Sequence, residues 1–125
     1  MATFRRFQEL FAWQKARKLT NQVYLLTHTK GFSKDYGLKS QIQRAAVSTM
    51  SNIAEGYARG TPNQFKQYLD ISRGSAAEVQ SLVYVALDQE YLDQQQFEEL
   101  FSLTDEVISL VAGLKRSIQT KNNPK

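Results

Sequence analysis

Apolar side chains recur along most of the chain at intervals of three and four residues, a spacing typical of amphipathic helices. At about 100° per residue, each of four stretches brings its apolar positions onto one broad arc. In the first stretch, that arc contains Leu19, Val23 and Tyr24. Alternation typical of strands does not occur. The pattern predicts helices over about residues 9–29, 38–58, 62–87 and 94–118.

Capping residues mark the starts of the last two predicted helices. Thr61-Pro62-Asn63-Gln64 supplies a capping hydroxyl, a proline suited to the first helical position, and a glutamine that completes a capping box. Asp93 and Gln96 repeat the capping pattern before the last helix. Both helices should therefore begin at these residues.

Glycine and polar residues mark the helix ends. Gly31-Phe32-Ser33 should close the first helix, and Gly56 and Gly60 should weaken and then end the second. Residues 120–125 are polar and predict a frayed tail. Short connections between helices of about 20 residues favour antiparallel neighbours. The sequence therefore predicts one all-α domain over residues 1–125, an antiparallel up-down-up-down four-helix bundle.

Composition narrows the possible chemistry. The 125 residues include no cysteine and a single histidine, His28, which we expect to lie at the surface. Disulfides, Cys-ligated metals, His clusters and a Ser-His-acid triad are thereby excluded. We expect no catalytic residue, no metal and no cofactor. No apolar run is long enough to cross a bilayer, and the N-terminus lacks a secretory pattern, so a cytoplasmic protein without membrane contacts is expected.

Charge is distributed unevenly along the chain. Residues 1–60 hold ten basic and three acidic side chains, whereas residues 61–125 hold six and nine. The acids of the second half cluster between Asp88 and Glu106, a stretch without Lys or Arg. Such a dipolar chain suits a polyanion on one face or a second copy of itself on the other.

A polar stripe runs beside the apolar stripe of the second predicted helix, within an arc of about 80°. It can be a catalytic or ligand-binding strip, or a hydrogen-bonded seam within the chain or between subunits. Because no nucleophile stands beside a base and buried polar groups need partners, the seam is favoured. Glu78 is expected to reach Arg44. The residues of this polar seam are Arg44, Ser48, Asn52, Glu55 and Arg59 on the second helix, and Ser75 and Glu78 on the third.

Two other features suggest close contacts. Gly74 lies inside the third helix, where glycine costs about 1 kcal/mol relative to alanine, so a packing reason is expected. Phe11 and Leu25 lie opposite Trp13 on the first helix, among basic residues. Large apolar side chains in that setting favour an oligomer interface over isolated surface residues.

Two segments resemble the signature of a known family. Leu38–Ser48 and Asn52–Gly60, together with Trp13-Gln14-Lys15-Ala16, are similar to 23S rRNA intervening-sequence proteins, also called the S23 or four helix bundle protein family. The resemblance extends over about residues 7–118. It implies an antiparallel bundle that forms a homopentamer. It also implies a relation in fold to accessory proteins of diversity-generating retroelements. Those relatives bind nucleic acid through a basic surface and partner a reverse transcriptase.

The leading hypothesis is a non-enzymatic, oligomeric protein that binds RNA or DNA electrostatically, with little base readout. It could serve as an accessory to a nucleic-acid enzyme such as a reverse transcriptase. The alternative is a structural or protein-interaction module without nucleic acid, and an enzyme ranks third. The residues predicted to contact nucleic acid are Arg5, Arg6, Lys15, Lys18, Lys115 and Arg116.

Overall fold

A computed structural model describes the backbone of residues 6–121 and the side chains of residues 6–118, and all regular structure in that range is helical. A 3-10 turn, Phe7–Glu9, leads into the first helix. Arg5 and residues 122–125 lie outside the described residues. The helices are α1 (Phe11–Thr27), α2 (Lys30–Lys34), α3 (Tyr36–Arg59), α4 (Pro62–Asp88) and α5 (Gln94–Lys121).

The four predicted helices correspond to α1, α3, α4 and α5, and both predicted N-caps form. The reciprocal capping box is complete at Asp93 but not at Thr61, where Gln64 Oε1 accepts from the Thr61 hydroxyl at 2.9 Å. The backbone N–H of Gln64 donates to Thr61 Oγ1 at 3.3 Å. The backbone N–H of Gln96 donates to Asp93 Oδ1 at 2.8 Å, and Gln96 Oε1 accepts from the Asp93 N–H in return. Gly60 ends α3 in the left-handed conformation, with φ of 85°, which glycine adopts without a Cβ penalty.

The sequence does not predict the short helix α2, because Gly31-Phe32-Ser33 indicates the end of the first helix. Phe32 is 1% exposed and stacks on the Tyr91 ring at 5.2 Å, so burial of this side chain holds the segment against the α4–α5 connection. Asp35 starts α3 by accepting from the Leu38 N–H at 3.1 Å and also accepts from the Tyr91 hydroxyl at 2.9 Å. That hydrogen bond raises the pKa of Tyr91 above its ordinary value.

The four long helices surround one apolar core. Helix α1 packs against α3 and α5, and α4 packs against the same two helices. Contacts between neighbours pair positions in opposite order along the chain: Gln41 meets Glu78, whereas Ser48 meets Ser75. Most predicted inward positions are buried, but Tyr24 is 39% exposed. It stands at the edge of the α1 arc, where the direction of a side chain depends on the neighbouring helix.

Helices α3 and α4 approach closely at Gly56, which is buried inside α3 and does not end it. A Cβ atom at this position would lie 2.6 Å from Tyr68 Cβ and 3.1 Å from Phe65 Cδ1. The sequence predicts a close packing contact at Gly74, and the described residues show that this prediction is wrong. Gly74 is exposed, and a Cβ added there would meet nothing within 4 Å.

Polar contacts continue the α3–α4 interface from Gly56 toward the other end of the two helices. Ser72 Oγ donates to the Thr49 carbonyl at 2.6 Å, deep in the interface. The hydroxyls of Ser48 and Ser75 are 2.8 Å apart, and Asn52 Nδ2 donates to Ser48 Oγ at 2.9 Å. This part of the polar seam therefore joins two helices of one chain.

Gly56→Ala is expected to lower the free energy of unfolding by about 1–3 kcal/mol, because the new methyl group overpacks the α3–α4 contact. Gly74→Ala is the matched control and should raise it by about 1 kcal/mol, since alanine favours a helix and has space there. Urea unfolding followed by far-UV circular dichroism measures both. Equal effects of the two substitutions would contradict the assigned close approach.

Ser48→Ala should lower the free energy of unfolding by about 1 kcal/mol, because it removes a partner from both Ser75 and Asn52. The double variant Ser48→Ala/Ser75→Ala should cost less than the sum of the single variants, with a coupling of about 0.5 kcal/mol or more. A double-mutant cycle measured by urea unfolding gives this coupling. Strict additivity would mean that the two hydroxyls do not stabilise the interface.

Candidate nucleic-acid interface

Helix packing converts the charge asymmetry of the sequence into two oppositely charged layers. Residues 11–59, which form α1, α2 and α3, hold eight Lys or Arg and two Asp or Glu. Residues 62–118, which form α4 and most of α5, hold four Lys or Arg and nine Asp or Glu. Helix α1 packs against α3, and α4 packs against α5. We therefore call residues 11–59 the cationic layer and residues 62–118 the acidic layer.

The six residues predicted to contact nucleic acid are not brought together as one free patch. Lys15 Nζ lies 3.4 Å from Glu106 Oε2, and Lys115 Nζ lies 2.8 Å from Asp70 Oδ1. Arg5 is outside the described residues. The other three, Arg6, Lys18 and Arg116, are exposed. Pairing with carboxylates reduces the local positive potential at two of the predicted positions.

Other cations of the cationic layer were missed as candidates. Within the described residues, six of the eight cations of this layer form no ion pair with a carboxylate, whereas the other two, Lys15 and Arg59, do. The excess of basic residues in the first half of the sequence could have indicated these cations as candidates. The six are Arg17, Lys18, Lys30, Lys34, Lys39 and Arg44, of which all but Lys39 are exposed.

Aromatic rings lie close to several of these cations. The Arg17 guanidinium lies 5.8 Å from the centre of the Trp13 ring, and Lys39 Nζ lies 5.4 Å from that of Tyr36. Tyr36 is 73% exposed. Exposed rings beside cations can stack on unpaired bases while the cations contact phosphates.

A groove between α1 and α3 opens on the cationic layer. Arg44 lies on its α3 wall, and its guanidinium has no hydrogen bond or ion pair with any described residue. No carboxylate lines the groove. The residues that line it are Tyr24 from α1, and Ser40, Gln43, Arg44, Val47, Ser48 and Ser51 from α3.

The remaining polar-seam residues separate into different contacts. Glu78 accepts from Gln41 Nε2 at 3.4 Å and does not pair with Arg44, so the expected Glu78–Arg44 contact is wrong. Glu55 pairs with Arg59 at 3.0 Å, and this hydrogen bond raises the pKa of the Arg59 guanidinium. Arg59 also lies 5.1 Å from the centre of the Tyr68 ring. The seam is thus a set of local contacts, with Arg44 directed elsewhere.

A second groove, between α1 and α5, has mixed charge. Phe11, Lys15 and Lys18 line it from α1, facing Asp105 and Glu106 on α5. Phe11 is 69% exposed, and Leu25 on the same helix is 66% exposed. Both side chains are therefore accessible in a single copy of the chain. The carboxylates of α5 make this groove less favourable for phosphates than the α1–α3 groove.

Two further features bear on the possible chemistry. His28 is exposed at the end of α1, as expected, and Nδ1 lies within hydrogen-bond distance of the Tyr24 carbonyl. Between residues 6 and 121, no group of three or more His, Asp or Glu side chains is arranged to hold a metal ion. None of the described helices combines the length and apolar character needed to cross a membrane.

Comparisons with known proteins agree with this architecture. A solved structure of a protein of unknown function from the S23 ribosomal protein family of Bacteroides thetaiotaomicron has a TM-score of 0.77, with 21% sequence identity, over 84% of this chain and 95% of that chain. No curated protein sequence matches the chain significantly. The family model of 23S rRNA-intervening sequence proteins matches residues 8–113. Because that match covers most of the sequence, the chain belongs to the 23S rRNA-intervening sequence protein family.

Proposed function

We propose that this protein is a non-enzymatic, self-associating protein that binds RNA or DNA through its cationic layer. One observation carries the proposal: six cations of α1, α2 and α3 form no ion pair within the described residues, while most carboxylates belong to the opposite layer. Such a surface attracts phosphates, which release counterions when Lys and Arg neutralise them. Binding of this kind needs no catalytic group and little base readout.

The proposed contact set differs from the one expected from the sequence. Lys18 belongs to both sets. Lys15 and Lys115 contribute less, because each already neutralises a carboxylate. Arg17 and Arg44 take their place as exposed cations without such a partner. Binding through Arg5, Arg6 and Arg116 remains a prediction.

The scaffold that supports this surface is proposed to be an antiparallel up-down-up-down four-helix bundle. The opposite order of contacts along neighbouring helices supports it. From α1 to α5, Lys15 pairs with Glu106, whereas Lys18 and Gln22 share a groove with Glu99. This arrangement places the start of α1 near the end of α5 and keeps each connection short.

Self-association is supported by exposed apolar side chains on α1, namely Phe11 and Leu25. The two layers of opposite charge also favour contact between copies, because the cationic layer of one copy complements the acidic layer of another. The homopentamer and the partnership with a reverse transcriptase, both implied by the family resemblance, remain predictions, as does a cytoplasmic location.

A protein-interaction role without nucleic acid is the second candidate, and the acidic layer favours it. Tyr84 is 51% exposed and packs against Phe97 and Phe101, with ring centres 5.0 and 5.6 Å apart. No Lys or Arg occurs between Arg73 and Lys115. An apolar surface with acidic surroundings suits a basic protein segment.

Replacing exposed cations of the cationic layer should weaken binding to nucleic acid. Arg17→Gln/Arg44→Gln is expected to lower the affinity for single-stranded RNA and DNA about tenfold, and to reduce the slope of log K against log salt by about 0.7 per lost phosphate contact. Fluorescence anisotropy with end-labelled oligonucleotides at several salt concentrations measures both quantities.

The matched control is Arg73→Gln/Lys115→Gln, which removes the same charge from cations that pair with Asp70. Its affinity should stay within about threefold of the wild type, since these cations lie in the acidic layer and share the carboxylate of Asp70, which offsets one of their two charges. Equal losses of affinity in the two variants would mean that binding depends on the net charge of the protein and not on the position of the cations. Wild-type binding that is absent, or that does not change with salt, would overturn the proposal and leave the protein-interaction role.

Phe11→Ser/Leu25→Ser should dissociate the oligomer, because two large apolar side chains would leave the proposed interface. Light scattering coupled to size exclusion should give a pentamer for the wild type and a smaller species for the variant. Ile71→Ser is the control, since Ile71 is 51% exposed on α4. A monomeric wild type would contradict self-association.

A further inference from the structure

The α1–α3 groove contains hydrogen-bonding groups that the chain itself does not use. Ser40, Arg44 and Ser51 lie on one face of α3, spaced four and seven residues apart, and all three are exposed. None of their side chains has a hydrogen bond or ion pair within residues 6–118. Ser48, by contrast, is already engaged by Ser75 and Asn52. Ser40 lies one turn, or about 6 Å, from Arg44, so its hydroxyl and the guanidinium can contact one phosphate group, whereas Ser51 is about 10 Å farther along the axis.

Tyr24 forms the opposite wall of the groove. Tyr24 is 39% exposed, and its ring stacks on no other ring of the described residues. The periodicity of α1 places Tyr24 at the edge of the buried arc, yet the structure leaves the ring available at a groove that also contains Arg44. An exposed aromatic face beside a phosphate-binding group is the combination that single-stranded nucleic acids require, because a base stacks on the ring.

Nearby charges favour an anion at this position. No carboxylate lines the groove. Glu55 is the next acidic residue along α3, three turns beyond Arg44, and it is paired with Arg59. In the α1–α5 groove, exposed Phe11 is accompanied by Asp105 and Glu106, which would repel a phosphate.

We propose that the α1–α3 groove is a subsite for one nucleotide of a single strand, with the base stacked on Tyr24 and the adjoining phosphate bound by Arg44 and the hydroxyl of Ser40. This inference rests on the proposed nucleic-acid binding and adds a preference for single strands. In a duplex the bases already stack on each other, so no base face is available to Tyr24. Duplexes therefore bind only through the phosphate contacts of the cationic layer.

The test compares binding of a labelled single-stranded oligonucleotide with binding of the duplex of the same length, by fluorescence anisotropy. Tyr24→Leu should weaken single-strand binding at least about fivefold, the loss expected for one stacked base. Duplex affinity should change less than about twofold, since phosphate contacts remain. Tyr24→Phe keeps the ring and should retain single-strand affinity.

Tyr84→Leu is the matched control, because Tyr84 is also an exposed tyrosine but belongs to the acidic layer. It should leave both affinities unchanged, and circular dichroism melts of all variants check folding. Arg44→Gln should reduce the single-strand salt slope by about 0.7.

Three outcomes overturn the subsite while nucleic-acid binding itself survives. In the first, Tyr24→Leu and Tyr84→Leu have the same effect. In the second, Tyr24→Leu weakens duplex and single strand equally. In the third, Tyr24→Phe loses as much affinity as Tyr24→Leu. If the wild type binds neither oligonucleotide, the proposed function fails, and the subsite fails with it.

Discussion

The close packing of α3 against α4 is the constraint on which the exposed surface depends. Because Gly56 has no Cβ atom, the two helices approach so closely that such an atom would lie 2.6 Å from Tyr68 Cβ. Farther along, the hydroxyls of Ser48 and Ser75 meet across the same interface. These contacts fix which side of α3 faces its neighbour. Arg44 is consequently directed away from α4, into the groove that α3 shares with α1.

Local signals in the sequence predicted the helices well, because helix formation depends on capping and periodicity within a few residues. Thr61 and Asp93 cap the helices that they were expected to cap. Features that depend on distant residues were not predictable in this way. Phe32 forms part of a helix because Tyr91 covers it, and the packing glycine is Gly56, since only the position of α4 decides which glycine meets a neighbour.

The candidate site was predictable only in outline. An excess of basic residues in the first half of the chain predicted a cationic surface, and helix packing brings that half together as one layer. The individual residues could not be chosen from the sequence. Lys15 and Lys115 are neutralised by Glu106 and Asp70, which are 91 and 45 positions away along the chain. Tyr24 is exposed because of its place at the edge of the α1 arc.

The central claim is that nucleic acid contacts the layer formed by α1, α2 and α3 and leaves the acidic layer free. Chemical-shift mapping of the isotopically labelled protein during titration with a short oligonucleotide tests this claim most directly. If nucleic acid binds the cationic layer, perturbed amides should cluster around Arg17, Tyr24 and Arg44, with little change between Glu78 and Glu106. Perturbations centred on α4 and α5, or spread evenly over both layers, would contradict it.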